Sequence, residues 1–185
     1  TKEWNENSTQ HLKVESETPS DREKLVRQIV FSKDQCAEIV DGVQQFEPHH
    51  WYRRMKINSI PTTKKGSGNH FSGDEADYYF SGDALQPKDF NKFLRSIAPK
   101  IDGYFLEEAI INRYDVGQGM AEHIDKALFR INMPIPLCDS GDGLFVGDEW
   151  IEDDAGVGTI FGANSPAHYV PPAKHQRYIV VYLYD

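Results

Sequence analysis

Ala121-Glu122-His123-Ile124-Asp125, a later His168, and then Arg177-Tyr178-Ile179-Val180-Val181-Tyr182-Leu183-Tyr184 are the stretches whose reading decides the fold. The last run is β-branched and aromatic and reads as a strand, as does the segment from Ala127 to Ile135 that follows the His-x-Asp tripeptide. In a strand, residues i and i+2 project to the same face. His123 and Asp125 can therefore reach one ion together, and Arg177 shares a face with Ile179 and Val181. An arginine on an otherwise apolar face needs an anionic partner, because a buried unpaired charge is costly.

His168 comes 43 positions after Asp125, far enough for the chain to leave and return through several strands. It follows Val157 to Phe161, which reads as another strand, and the turn-like Gly162 to Pro166. Two imidazoles and one carboxylate on one side of a metal leave the opposite positions open, the arrangement of non-haem Fe(II) oxygenases. His123, Asp125 and His168 are accordingly the candidate ligands. His175 is a rival for the third place; His168 is preferred because His175 and Arg177 on one strand would make a single neighbourhood serve both the metal and an anion.

Asn112-Arg113-Tyr114-Asp115-Val116-Gly117-Gln118-Gly119-Met120 leading into His123-Ile124-Asp125, then Gly143-Leu144-Phe145, then His168 to Tyr178, resembles the catalytic core of Fe(II)/2-oxoglutarate-dependent dioxygenases of the prolyl 4-hydroxylase-like type, over roughly residues 105–185. The resemblance implies a mainly β fold with flanking α-helices, a double-stranded β-helix of the jelly-roll, cupin-like kind. It makes His123, Asp125 and His168 the iron ligands, Arg177 the partner of the distal 2-oxoglutarate carboxylate, and Tyr114 an additional hydrogen-bond donor. Fe(II), 2-oxoglutarate and O2 are the implied cofactor and co-substrates, with ascorbate as reductant. The implied reaction is hydroxylation of an unactivated C–H bond, with release of succinate and CO2. A prolyl residue in a peptide or protein is the expected substrate, a free amino acid or small metabolite the alternative, and a non-enzymatic metal-binding jelly-roll module a further one. Asp125 occupies the position a halide would need in related halogenases, so hydroxylation is expected over halogenation. Two positions depart from the family's pattern: Met120 stands where a tyrosine is common, and a Gly-Gly-x-Leu segment is reduced to Asp142-Gly143-Leu144.

The 185 residues suit one domain with a sizeable core. A formal net charge of −9 disfavours broad binding to nucleic acid or anionic membrane. Nucleic-acid repair is further disfavoured because that branch carries a second arginine not matched here. No apolar run is long enough to span a bilayer, the opening ten residues lack an apolar signal core, and the expected location is cytoplasmic. Cys36 and Cys138 read as two reduced thiols, with a disulfide as the alternative.

Residues 1–27 are expected to form a polar extension, with Leu12, Val14, Leu25, Val26 and Ile29 able to pair part of it as strand, and residues 28–185 the single oxygenase domain. Ser32-Lys33-Asp34-Gln35 fits a capping box, followed by Cys36, Ile39, Val40, Val43 and Phe46 at helical spacing. A second helix is expected near Pro87, burying Phe90, Phe93, Leu94 and Ile97 and broken near Pro99. The basic stretch Arg53, Arg54, Lys56, Lys64 and Lys65 runs into Gly66-Ser67-Gly68-Asn69 and reads as a solvated loop or a lid for an acidic or polar substrate. Glu149 to Asp154 reads as a solvated acidic loop. His49, His50 and Trp51 read as a strand or loop edge, with substrate contact as the alternative; Tyr178, Tyr182 and Tyr184 read as packing residues. Arg130 and Asn132 could touch co-substrate or substrate, or serve as structural hydrogen-bond formers.

Overall fold

Ser32 and Gln35 satisfy each other's free backbone amides: Ser32 Oγ accepts from the Gln35 N–H at 3.1 Å and Gln35 Oε1 from the Ser32 N–H at 2.9 Å. This starts α1, Lys33–Val43, whose buried face carries Cys36, Ile39 and Val43. A computed structural model describes residues 11–12, 26–57, 71, 73–124, 131–161 and 167–185. The second helix, α2, is Lys88–Ser96, entered through Pro87, burying Phe90, Phe93 and Leu94, and ending three residues before Pro99. Proline disfavours the helical conformation in its predecessor and cannot itself extend the ladder.

The strands in chain order are β1 (His11–Leu12), β2 (Val26–Ile29), β3 (Tyr52–Lys56), β4 (Ala76–Ser81), β5 (Lys100–Ile101), β6 (Leu106–Tyr114), β7 (Gly119–His123), β8 (Ile131–Pro136), β9 (Gly143–Val146), β10 (Glu149–Glu152), β11 (Val157–Ile160), β12 (His168–Val170) and β13 (Arg177–Tyr184). One large sheet runs β10-β9-β12-β7-β4-β6-β13-β8, with β3 added on β4. β11 pairs with β2 and is tied to β8 by reciprocal backbone bonds between Asn132 and Phe161 at 3.0 and 2.9 Å. The result is the expected jelly roll: a mainly β sandwich with helices packed outside it. β1 pairs in parallel with the short β5, and β2 straddles the boundary expected after residue 27.

β13 organises the interior because it is paired along both edges, to β6 and to β8. Its even-numbered residues Val180, Tyr182 and Tyr184 lie in one core with Ile111, Met133, Ile135 and the helical side chains. The Tyr182 and Tyr184 hydroxyls donate to the Leu94 and Pro99 carbonyls, each at 2.6 Å, so both phenols are buried and satisfied. Its odd-numbered residues Arg177, Ile179, Val181 and Leu183 line a cavity on the other face. The two-residue period thus divides each central strand between a helix-covered core and a hollow interior.

One expectation is met over the described residues and two change. The strand expected over Ala127 to Ile135 is β8, Ile131–Pro136; residues 125–130 lie outside the described ones. The basic stretch is partly strand: Arg53, Arg54 and Lys56 belong to β3, with Arg53 bidentate to Asp77 at 3.0 Å and Lys56 paired to Asp74, while Lys64 to Asn69 lie outside the described residues. The acidic run Glu149 to Asp154 is no solvated loop: its first four residues form β10, hairpinned to β9, and Asp153 is buried. Cys36 and Cys138 are both free thiols.

Gly156 joins these layers. Its carbonyl accepts from Val30 and Phe31 at 2.8 and 3.1 Å, and its N–H donates to Pro136 at 2.8 Å. Its φ of 86° is one that side-chain-bearing residues avoid, and a Cβ there would overlap the Phe31 carbonyl. Gly156→Ala should lower unfolding free energy by about 2 kcal/mol or more, read as a reduced urea midpoint at unchanged slope.

Candidate active site

β7 and β12 are antiparallel neighbours whose register sets His123 opposite His168. Their rings lie 4.3 Å apart between centroids, on the wall of a cavity of about 650 Å³ lined by residues of β4 and of β6 to β13. His168 is buried, with its ring stacked on Phe161 at 5.0 Å. His123 Nδ1 is 2.9 Å from the Ala121 carbonyl. A ring nitrogen facing a carbonyl carries the proton, which leaves Nε2 with the lone pair a metal needs.

No group of three metal-ligating side chains forms among the described residues. Asp125, the third candidate, lies outside them, as does Arg130. His175 does not line the cavity; its imidazole is 67% exposed and sits 3.5 Å from Asp142. His49 and His50 are also away from the cavity, where His50 Nδ1 accepts the Glu47 N–H at 2.9 Å.

Arg177 lies on the same cavity wall, opposite Tyr114 in register. Its guanidinium packs over the Tyr114 ring at 5.2 Å, and Tyr114 in turn stacks on Tyr78 at 5.4 Å. Burial pushes the Tyr114 phenol far above its ordinary range, Tyr78 adding to the effect and Arg177 opposing it. The anionic partner that a buried arginine requires is Asp153: Arg177 Nε donates to Oδ2 at 2.7 Å and Nη2 to Oδ1 at 2.6 Å. Ser140 Oγ donates to the same Oδ2 at 2.6 Å. Burial raises the Asp153 pKa above the usual carboxylate value, against the pull of Arg177 and Ser140. Arg177 Nη1 is buried and has no hydrogen-bond partner among the described residues.

Asp153 and Ser140 escaped the sequence reading. Asp153 was legible in principle, since it lies two positions after the buried Ile151 and strand parity carries both inward; the surrounding acidic residues masked that signal. Asn132 lines the cavity, as does Met120 from the family's departing position.

The donor set fits a divalent metal and a dicarboxylate. Two imidazoles that face each other, and a buried guanidinium nitrogen with no hydrogen-bond partner among the described residues, line one cavity that is mostly apolar. No family model and no curated protein matches the chain. Solved structures do. The collagen prolyl hydroxylase of Paramecium Bursaria Chlorella virus-1, in its 2-oxoglutarate complex, aligns with a TM-score of 0.52 at 14% identity over 90% of this chain and 99% of its own. A 2-oxoglutarate–Fe(II) oxygenase family oxidoreductase from Burkholderia pseudomallei gives 0.55 at 15% identity, covering 97% of this chain and 96% of that one. A Pseudomonas putida prolyl-4-hydroxylase gives 0.55 at 15% identity, covering 86% and 91%. The chain has the jelly-roll fold of the Fe(II)/2-oxoglutarate oxygenases.

The Arg177–Asp153 pair is almost wholly buried, with side-chain exposures of 3% and 1%. Removing one partner leaves an uncompensated charge, so Asp153→Ala should destabilise the protein by about 3–5 kcal/mol. An Arg177→Met, Asp153→Leu double variant should recover most of that loss. Chemical denaturation of the three chains checks both statements.

Proposed function

We propose that this chain is an Fe(II)- and 2-oxoglutarate-dependent hydroxylase, with His123, Asp125 and His168 holding the metal and Arg177 anchoring the distal carboxylate of 2-oxoglutarate. The observation that carries the reading is the buried Arg177 Nη1, which has no partner among the described residues, in the cavity that His123 and His168 also line. A purely structural metal site would have no use for a second, anion-seeking group, and is usually coordinatively closed.

Bound Fe(II) would supply oxygen activation coupled to decarboxylation of 2-oxoglutarate to succinate and CO2, with O2 as co-substrate and ascorbate as reductant. The chain's own residues supply orientation and exclusion of water. The Ala121 carbonyl holds the His123 ring in one tautomer, and Phe161 holds His168 in plane. Arg177 offers a charge-assisted contact to a carboxylate, its guanidinium supported by the Tyr114 face. Ile179, Val181, Leu183 and Leu144 give the cavity apolar walls suited to positioning an aliphatic C–H bond. The likeness to two prolyl hydroxylases supports a prolyl residue in a peptide or protein as substrate. The activity is assigned to residues 28–185, with the catalytic core at 105–185.

Incubation with Fe(II), 2-oxoglutarate, ascorbate and a proline-containing peptide library should release succinate and give a +O product by mass spectrometry. His168→Ala should abolish both, whereas His175→Ala should retain them; the reverse pattern would move the third ligand to His175. Arg177→Ala should raise the 2-oxoglutarate requirement steeply, corresponding to about 2–5 kcal/mol, while leaving metal binding intact. Arg177→Lys should rescue only part of this because it lacks the planar fork. Separate titrations of metal and 2-oxoglutarate read the two effects independently.

A further inference from the structure

Arg177 presents its donors in three groups: Nε–H, the two Nη2–H and the two Nη1–H. Asp153 takes Nε through Oδ2 and one Nη2–H through Oδ1. Oδ2 is held twice, since Ser140 also donates to it; Oδ1 has only the Nη2 contact among the hydrogen bonds described. The edge left to a ligand is the one bearing Nη1. A carboxylate binding there bidentately would use Nη1 and Nη2 and so would meet Asp153 Oδ1 across the same guanidinium.

Resting on the reading of Arg177 as a co-substrate anchor, we propose that Asp153 governs that anchor: the distal carboxylate of a 2-oxo acid must share the guanidinium with it, and binds with uptake of a proton by Asp153. Two buried carboxylates on one cation cannot both stay ionised without cost. The second Nη2–H and Nη1–H serve the incoming carboxylate; a proton taken from solvent on Oδ1 removes the repulsion between the two carboxylates, while Oδ2 keeps Nε and Ser140. Burial raises the Asp153 pKa, and the added negative charge of a second carboxylate acts in the same direction. The other groups acting on Asp153 are Asp142, whose charge favours the neutral acid, and Arg177, which opposes it. Tyr114 and Cys138 each feel the Asp153 charge. Asp142 is held by the Lys174 and His175 backbone N–H groups at 2.9 and 3.0 Å, and the exposed His175 imidazole lies beside it. Asp153 thereby sets how strongly the site prefers a 2-oxo acid with a distal carboxylate over one without.

The test uses calorimetry on the full chain loaded with redox-inert Mn(II), titrated with 2-oxoglutarate and with 2-oxopentanoate, which carries a methyl group in place of the distal carboxylate. Repeating each titration in buffers of different ionisation enthalpy counts protons, and comparing the two acids at one pH cancels the titration of His123, His168 and His175. The wild type should take up about one more proton with 2-oxoglutarate than with 2-oxopentanoate. In Asp153→Asn that excess should vanish, and the preference for 2-oxoglutarate should rise by about tenfold or more, because the full Arg177 charge is unmasked. Equal proton uptake for both acids in the wild type, or an unchanged or smaller preference in Asp153→Asn, overturns the proposal; the wild-type count decides alone if the variant does not fold. Arg177→Gln separates the layers. Retention of the wild-type preference there would sink the anchor reading itself, whereas its loss beside an ineffective Asp153→Asn would sink only the role of Asp153.

Discussion

A guanidinium buried in a β-sheet is the constraint around which this interior is arranged. Arg177 begins β13, a strand paired on both edges, and strand parity turns its side chain away from the helices and into the cavity. Left alone, such a charge would be expensive enough to offset a large part of a domain's net stability. The turn after β10 meets it with Asp153, Ser140 steadies the carboxylate, and Tyr114 covers the guanidinium face. One N–H-bearing nitrogen has no partner among the described residues, and its arginine lines the same cavity as the two imidazoles. Stability alone would favour apolar residues here, which is why the pair reads as a functional device.

The same parity governs the rest of the sandwich. On β6 and β8, Ala109, Ile111, Met133 and Ile135 pack with α1 and α2, while their neighbours Ile110, Asn112, Asn132 and Pro134 face the hollow. One face of the sheet is thus a filled core that fixes strand positions, and the other is left open for chemistry. The cross-strand register of β7 and β12 then sets His123 against His168 without help from loop geometry.

Where a short-range rule applies, the sequence was readable. The Ser32–Gln35 box, the apolar stripe of α1, the Pro87 to Pro99 bracket around α2 and the strand parity of Arg177, Ile179 and Val181 all follow from periods and caps that neighbours determine. The opposition of His123 and His168 was foreshadowed only by an ordered motif, because register is a long-range property. Asp153 was hidden for a related reason. In sequence it belongs to an acidic run, and only the β9–β10 hairpin and the distant β13 turn it into the partner of Arg177. Composition describes where charge is abundant; pairing across 24 positions depends on the fold.

The most direct measurement is a crystal structure grown anaerobically with Mn(II) and 2-oxoglutarate, with the metal located by its anomalous signal. The account predicts one Mn(II) held by His123, Asp125 and His168, and the distal carboxylate of 2-oxoglutarate on Arg177 Nη1. Metal on His175 or on His49 and His50 instead, or a 2-oxoglutarate whose distal carboxylate lies away from Arg177, would contradict it.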